Sequence, residues 1–546
     1  MQRGGRLGDT CCAPIHPTAQ SDFCPQTKPL NPTAHGELEH RLGLVFQDFR
    51  YKHRAYKALA GAVQVPTESY DDLGPVGEDK RWETFGELHK YLEATFPDVF
   101  GKLEVTKVNT YGIVLRWKGS DASLRPVLVT AHQDVVPVEP ATVHEWIHPP
   151  YSGYFDGEWI WGRGSCDDKS DLVASLHAID ALLKQGFKPK RTFVWAYGFD
   201  EEAAGTEGAG RLATYLEGQY GTHGFELMLD EGGSYGTPYG DDVIFAVPAL
   251  SEKGYLDIRI EVTTKGGHSS VPPKHTAIGM LSSMVVAIED HPHEPALVRG
   301  GSPYNFTMCA AVYGPEYPSH VRKLALKAAH GDDGALDGLR DSLLETFPRF
   351  EAILRTTQAV DLVQGGVKVN ALPEKVSAVV NHRIAEHSSV WELQKHITDT
   401  IRPIAKKYDL RVEAFGLQVA SGSGKGGRVV LSDAWGTALE PSPVTPTGKD
   451  DAYQILAGTI KATIESSEGY QKSGVKGVVV APLLTIGNTD TRYYWNVTKN
   501  IFRYKHLHEK DRYNGAHTIN EAVRAEGWLE SIRFYTKFIL NVDENL

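Results

Sequence analysis

The chain has 546 residues, more than one ordinary hydrophobic core accommodates, so we expect at least two domains. Its formal net charge is −12 and it has no lysine- or arginine-rich run, which argues against nucleic acid and anionic membranes as its main partners. No run of about 18 apolar residues predicts a transmembrane span, and the first 20 residues lack the apolar segment of a signal peptide.

The cysteine content predicts neither a disulfide framework nor a zinc–thiolate site. The count is odd and no zinc-ligand spacing occurs among the five, which are Cys11, Cys12, Cys24, Cys166 and Cys309. Two glycosylation sequons begin at Asn305 and Asn496. Such triplets arise often by chance, so they are weak evidence for a secretory route.

The first half of the chain predicts an α/β unit. Residues 1–35 are rich in proline and polar residues, as in a tail or a segment that wraps a surface. Three continuous apolar stretches, 127–131, 192–197 and 225–229, are typical of strands buried on both faces. A helix is predicted over 171–185, and this alternation indicates a doubly wound sheet.

A second, smaller α+β unit is predicted from about residue 251. Strands at 256–262, 375–384 and 410–415 and helices at 277–289 and 390–408 suggest a β-α-β-β-α-β (ferredoxin-like) order, interrupted by an insertion at about 300–365. After residue 425 the α/β pattern returns, with a strand at 477–482 and a last helix at 520–540. The predicted organisation is a tail (1–35), a catalytic domain in two parts (36–250 and 421–546), and an inserted domain (251–420).

Acidic residues follow each of the three predicted buried strands, and a histidine also follows the first. His132 and Asp134 follow the first, Glu201 and Glu202 the second, and an Asp-Glu pair at 230–231 the third; the stretch GRGSCDDKSD adds Asp167. The carboxyl ends of such strands form the ligand crevice of an open α/β sheet. Because converging carboxylates repel one another, the pattern favours a two-metal centre with a spare glutamate as general base.

Each of these motifs alone has an ordinary explanation. A histidine two residues before an aspartate is often a surface pair, Asp-Glu-Glu is commonly a solvated run, and Asp167-Asp168 could cap the helix that follows. Their joint occurrence after successive buried strands makes coincidence improbable. Cys166 has no histidine base arranged for it and is expected to pack rather than act as a nucleophile.

Seven motifs together resemble the co-catalytic zinc peptidases, a family that includes carboxypeptidase S, aminoacylase and glutamate carboxypeptidase. They are TAHQDVVPV, GRGSCDDKSD, FDEEAAG, LDEGG, TKGGHSSVPP, VKVNALPE and GAHTINE, from about residue 125 to 521. LTIGNTDTRYYWNVTKNIFRY is most similar to the fungal carboxypeptidase S branch. The resemblance implies a doubly wound mixed-sheet catalytic domain with an inserted α+β lid domain, and two Zn²⁺ ions per subunit, with Co²⁺ or Mn²⁺ as substitutes.

The resemblance also implies roles for individual residues. Asp134 would orient a ligand histidine, and Glu201 would be the general base. Asp168 is left with a lesser role, capping the helix or holding the loop. Asp230 is preferred to Glu231 because it directly follows the predicted strand. The implied metal ligands are His132, Asp167 (bridging), Glu202, Asp230 and His517, with Glu231 as the fallback for Asp230.

In the lid, His268 resembles a residue that steadies the oxyanion or the substrate carboxylate. Asn370 and Arg383 resemble the grip on the carboxylate end of the substrate. Without the resemblance, His268 would be interpreted as a polar turn residue and Arg383 as a surface strand arginine. The resemblance implies a vacuolar or secretory lumen, although no anchor is visible, and a homodimer is possible.

The predicted function is a two-zinc exopeptidase that removes the C-terminal residue of short peptides such as Gly-X. The alternative is an N-acyl amino acid hydrolase or synthase with the same site. A two-metal phosphoesterase is disfavoured by the placement of Glu201 beside a ligand glutamate. A non-catalytic binding protein would normally have lost Glu201 or a ligand.

Overall fold

A computed structural model describes residues 21–448 and 452–546, and it contains two large β-sheets with helices packed on them. The predicted fold class, a doubly wound mixed sheet with a second α+β unit, is confirmed. Residues 1–20 of the predicted tail lie outside the described residues.

The larger sheet has ten strands and is parallel at its centre. The strand Val127–His132 lies between Phe193–Gly198 and Met228–Gly236 and is parallel to both. All six residues of Val127–His132 and of Phe193–Gly198 are buried, as their continuous apolar sequences predict. The strand order is Glu104–Val108, Gly112–Trp117, Phe193–Gly198, Val127–His132, Met228–Gly236, Ile501–His508, Ala249–Glu252 and Leu483–Thr485, with Val243–Ala246 and Gly477–Val480 paired beside it.

Helices pack on this sheet and form the main hydrophobic core with it. The helix Lys169–Lys184 begins two residues before the predicted start and is buried along nearly its whole length against Ala525–Asn545. None of the helices in the described residues is long and apolar enough to cross a membrane. The other helices of this part are Gly36–Gln47, Phe49–Val63, Glu83–Thr95, Pro97–Lys102, Ala209–Tyr220, Ala452–Glu465 and Glu468–Ser473.

The smaller sheet has six strands and its own core. The helices Ala277–Glu289 and Val390–Lys407 pack on it, close to their predicted bounds. One strand, Gly427–Asp433, lies beyond residue 420, where the sequence suggested that the inserted domain ends. The strand order is Thr357–Gly365, Lys375–Ile384, Gly254–Thr263, Gly427–Asp433, Leu410–Ala414 and Leu417–Val419.

The insertion at about 300–365 forms four helices and then the edge strand Thr357–Gly365. The helices pack on Phe245 and Val479, which belong to strands of the larger sheet. The insertion therefore enlarges the catalytic unit and also supplies a strand to the smaller sheet. Its helices are Ser302–Tyr313, Ser319–Ala329, Asp333–Thr346 and Glu351–Leu354.

Two predicted elements differ from the structure. The strand predicted over 225–229 is Met228–Gly236, so it extends past the Asp-Glu pair. The last helix begins at Ala525 rather than 520. Residues Ala522–Arg524 instead pair with Trp159–Trp161, and this pairing withdraws them from the helix.

The expectation of no disulfide is wrong, because Cys24 and Cys309 form one. The two cysteines are 285 residues apart, so no local spacing could indicate the pair. The segment that contains Cys24 runs along the catalytic unit. Gln26 exchanges two hydrogen bonds of 3.0 Å with the backbone of Val480, and Leu30 N–H donates to Gly458. The described part of the tail thus wraps a surface.

We expect the double variant Cys24→Ser, Cys309→Ser to lower the free energy of unfolding by about 2–4 kcal/mol, since the cross-link restricts the unfolded chain. Chemical denaturation with and without a reductant measures this. The reductant should destabilise the wild type and leave the variant unchanged. A wild type that is insensitive to the reductant would contradict the pairing.

Candidate active site

Three neighbouring strands bring several of the predicted functional residues to one edge of the larger sheet. His132 ends the strand Val127–His132, and the 3₁₀ turn Glu201–Ala203 follows Phe193–Gly198. Glu231 lies within the strand Met228–Gly236. Because these strands are parallel, their side chains meet at one edge.

His132 is the buried centre of the site. Its Nε2 atom lies 3.1 Å from Asp167 Oδ1 and 3.3 Å from Glu231 Oε1. Its Nδ1 atom lies 3.2 Å from Asp134 Oδ1. Burial alone would lower the pKa of His132, but these three carboxylates together raise it well above the usual value. Such a histidine between carboxylates suits a cation-binding site.

Asp167 lies between two histidines, as expected for a bridging carboxylate. Its Oδ1 atom faces His132, and its Oδ2 atom is 3.4 Å from Nε2 of His517. The same His517 nitrogen is 2.9 Å from Glu202 Oε1, and these contacts raise the pKa of His517 to about 10. The pKa of Asp167 is held well below its usual value by the two histidines, although burial opposes this. His132 and His517, which are 35 and 350 positions from Asp167 in the sequence, thus converge on its carboxylate.

These side chains fit two metal ions. Two overlapping groups, His132–Asp167–Glu202 and His132–Asp168–Glu231, each have ligand atoms within 4.8 Å of one another, although Asp168 of the second group is already paired with Lys505 at 2.6 Å. The donor atoms are imidazole nitrogen and carboxylate oxygen, which suit zinc, cobalt and manganese. A two-metal site holds its ions about 3.5–4 Å apart, a spacing that one shared carboxylate spans.

Glu231, rather than Asp230, lies beside His132. Asp230 accepts a hydrogen bond from Thr130 Oγ1 at 2.7 Å and is buried away from the two groups. The physical reason is that the strand continues to Gly236, and successive side chains of a strand point to opposite faces. The preference for Asp230 assumed that the strand ended before it, so the geometry favours the fallback ligand.

Asp134 contacts both His132 and the turn that carries Glu201 and Glu202. It is fully buried and accepts hydrogen bonds from the backbone N–H groups of Glu201 at 3.1 Å and Glu202 at 3.0 Å. Ser69 Oγ donates to its second oxygen at 2.6 Å. One carboxylate therefore orients His132 and fixes the turn that carries both glutamates.

Glu201 lies among other carboxylates. Burial raises the pKa of its carboxyl well above the usual value, and the negative charges of Glu231, Asp490 and Glu202 add to this, while His132 opposes it. Glu201 lies next to Glu202 in the turn Glu201–Ala203.

Asp168 does not cap the helix that follows it, contrary to one expectation. Its side chain makes no capping hydrogen bond and is fully buried. Lys505 Nζ lies 2.6 Å from its Oδ1 atom and 3.4 Å from Asp171. Sequence analysis missed Lys505, which lies in the strand Ile501–His508. The available signal was a lysine inside a strand that is otherwise buried, because a buried cation needs a partner.

The predicted lid residues occupy two places on the smaller unit. His268 and Asn370 are exposed on a short ribbon, in which Gly267–His268 pairs with Ala371–Leu372. Arg383 lies on the strand Lys375–Ile384, donates a 2.9 Å hydrogen bond to Asn488 Oδ1 and stacks on Tyr255. Ser269 N–H donates to Asn370, so the ribbon joins the first two residues only.

Comparisons with known proteins identify the family of the chain. The model of peptidase family M20/M25/M40 matches residues 128–541. The chain belongs to this family. Carboxypeptidase S of Saccharomyces cerevisiae is 37% identical over 538 residues, which cover 97% of this chain and 90% of the relative. The mouse N-fatty-acyl-amino acid synthase/hydrolase PM20D1 is 31% identical over 497 residues, 89% of this chain and 87% of that protein.

A solved M20 structure has the same fold. The M20 family metallo-carboxypeptidase Sso-CP2 from Sulfolobus solfataricus superposes with a TM-score of 0.59 at 16% identity. The match covers 90% of this chain and 99% of the solved one. The shared fold therefore extends over almost the whole chain.

The adjacent aspartates should respond differently to the same substitution. We expect Asp167→Asn to lower metal content sharply, because Asp167 faces both histidines. We expect Asp168→Asn mainly to destabilise the fold, since removing one partner of a buried ion pair costs about 3–5 kcal/mol. Metal analysis and denaturation of the two purified variants measure this. Equal metal loss in both would contradict the division.

Proposed function

We propose that the chain is a two-zinc exopeptidase that hydrolyses the C-terminal peptide bond of short peptides such as Gly-X. The observation that carries the proposal is Asp167, whose two oxygens face His132 and His517, with Glu201 beside the site. The similarity to carboxypeptidase S of Saccharomyces cerevisiae over 97% of the chain supports the substrate class.

The proposed ligands are His132, Asp167, Glu202, Glu231 and His517. Zinc is the preferred metal because it takes nitrogen and oxygen ligands at low coordination number, and Co²⁺ or Mn²⁺ would suit the same donors. When bound, the two ions would polarise the scissile carbonyl and lower the pKa of a water molecule. Asp134 fixes the ring of His132 from the side opposite the ligands.

Glu201 is the proposed general base and then the general acid. It takes a proton from the attacking water and delivers it to the nitrogen of the leaving amino acid, so its charge is restored at the end of the cycle. In the lid, His268 would stabilise the oxyanion, while Asn370 and Arg383 would hold the free carboxylate of the substrate.

The second candidate is hydrolysis or synthesis of N-acyl amino acids. It is favoured by the 31% identity to mouse PM20D1 over 89% of this chain. Both reactions involve an amide bond next to a free carboxylate, so the same catalytic residues serve either. The two candidates differ in what the site accepts on the acyl side of the bond.

A secretory or vacuolar location is proposed on two observations. A disulfide joins Cys24 to Cys309, and disulfides persist in oxidising compartments. Asn496 is exposed. Asn305 instead lies in the helix Ser302–Tyr313, and its side-chain amide donates to the backbone oxygen of Gly300. A glycan is therefore proposed at Asn496, and a mass decrease after glycosidase treatment of protein from its native host would test it.

Glu201→Gln should abolish turnover without removing metal. We expect kcat on a blocked Gly-Leu dipeptide to fall by about 10²–10⁴-fold, the typical contribution of a general base. Glu202→Gln is the neighbouring comparison and should lose metal, because Glu202 contacts His517. Hydrolysis rates and metal content of both variants measure the difference. Loss of metal in Glu201→Gln would contradict its role as the base.

The substrate class is tested on the wild-type protein. Thorough chelation should abolish peptide hydrolysis, and added Zn²⁺ should restore it. Full activity in the metal-free protein would contradict the proposal. Turnover of phosphate esters would instead support the two-metal phosphoesterase alternative. Comparison of kcat/KM for blocked dipeptides and for fatty-acyl amino acids decides between the two amide-hydrolase candidates.

A homodimer is proposed through the edge of the smaller sheet. The strand Thr357–Gly365 pairs with one neighbour, and its Leu362 and Val363 side chains are exposed. An unpaired edge with apolar side chains is a template for a second strand. Sedimentation should show a dimer that Val363→Lys weakens. Leu417→Lys, at the opposite edge of the same sheet, is the matched control and should not.

A further inference from the structure

Two loops from distant parts of the chain are joined beside the metal-binding residues. One loop, residues 162–167, carries Asp167, and the other, residues 515–521, carries His517. Each loop contributes a charged side chain that reaches into the other. Glu521 comes from the His517 loop, and Arg163 comes from the Asp167 loop.

Glu521 holds the backbone of the Asp167 loop. Its Oε1 atom accepts hydrogen bonds from three backbone N–H groups, those of Gly164 at 3.1 Å, Cys166 at 2.7 Å and Asp167 at 3.2 Å. The side chain is fully buried. A carboxylate that receives three backbone donors fixes the direction in which the loop presents Asp167.

Arg163 makes the reciprocal contacts. Its NH1 atom donates to Glu521 Oε2 at 2.8 Å and to the backbone oxygen of Thr518 at 3.2 Å. The backbone adds one more link, from Gly162 N–H to the Glu521 carbonyl at 2.9 Å. Arg163 is itself 5% exposed, so its pairing with Glu521 is buried.

The His517 loop needs such support. His517 and Asn520 both have left-handed backbones, with φ of 60° and 63°. A non-glycine residue in this region costs about 1–3 kcal/mol and persists only where neighbouring contacts hold it. The contacts of Glu521 and Arg163 lie within four residues of His517, at the position where this strain occurs.

We propose that Glu521 is a positioning residue that sets the separation of Asp167 and His517, and through it the affinity and geometry of the metal centre. This inference rests on the proposed function, because it takes Asp167 and His517 as metal ligands. Glu521 touches neither metal ligand side chain in these contacts. It acts through the backbone of one ligand loop while being covalently part of the other.

The test is Glu521→Gln, which keeps a carbonyl oxygen for the backbone donors and removes the charge that pairs with Arg163. We expect the affinity of the purified metal-free protein for Zn²⁺ to fall by about 10- to 100-fold, as is typical when groups that orient metal ligands are changed. Competition with a chelating indicator measures the affinity. The visible absorption of the Co²⁺-loaded protein should also change, which reports ligand geometry independently of turnover.

Asp543→Asn is the matched control. Asp543 is also a buried carboxylate that accepts two backbone hydrogen bonds, from Lys190 and Arg191, at a distance from the site. It should lower thermal stability and leave Zn²⁺ affinity and the Co²⁺ spectrum unchanged. If Glu521→Gln lowers stability to a similar extent but binds Zn²⁺ as the wild type does, Glu521 is only structural and the proposal is overturned.

Two further variants keep the outcomes separate. If Glu521→Gln does not fold, Arg163→Gln carries the test, and unchanged Zn²⁺ affinity in that variant overturns the proposal. Asp167→Asn reports on the proposed function itself. If Asp167→Asn binds Zn²⁺ like the wild type, the ligand assignment fails; if it loses metal while Glu521→Gln does not, only the positioning role fails.

Discussion

The burial of several carboxylates at one edge of a sheet is the constraint on which the rest of this structure depends. Five carboxylates lie within a few ångströms of His132 or of a group that contacts it. They are Asp134, Asp167, Asp168, Glu202 and Glu231. Like charges at such distances repel strongly in a medium of low dielectric constant. The fold can hold them together only if cations, protons or hydrogen-bond donors compensate their charge.

The protein uses a different compensation for each carboxylate. Asp168 has the buried cation of Lys505, while Asp134 has backbone donors and a serine hydroxyl. Asp167 has two histidines. For Glu201, burial and the negative charges of nearby carboxylates raise the pKa of the side chain. The residues with fixed partners form the frame, and those facing the histidines are left for metal ions and chemistry.

The same logic explains why the two halves of the chain must meet at this edge. Lys505, His517 and Glu521 all come from the last part of the chain, after the smaller sheet has been completed. The strand Ile501–His508 pairs with Met228–Gly236 and carries Lys505 under Asp168. The smaller unit is thus inserted between two segments of the chain that together form one site. Arg383 and Asn488 join that unit to the catalytic one.

Local sequence patterns were enough to predict the fold class and the general kind of site. Continuous apolar strands and alternating ones differ in period and composition, so the two sheets were predictable, and the order of acidic motifs after successive strands indicated a metal site. The individual ligand assignments and the general base came from the resemblance to a family rather than from spacing. Local patterns also predicted the helices Ala277–Glu289 and Lys169–Lys184 to within two residues of each observed end.

Features that depend on long-range contacts or on exact strand ends could not be predicted from local sequence patterns. The choice between Asp230 and Glu231 depends on a strand that continues to Gly236. The glycines in this stretch made the continuation hard to predict. The pairing of Cys24 with Cys309 depends on where two distant segments meet. The partner of Asp168 lies 337 residues away, so a local capping pattern suggested the wrong role. Sequence patterns report local periodicity and charge, whereas these contacts are set by how the completed sheets pack.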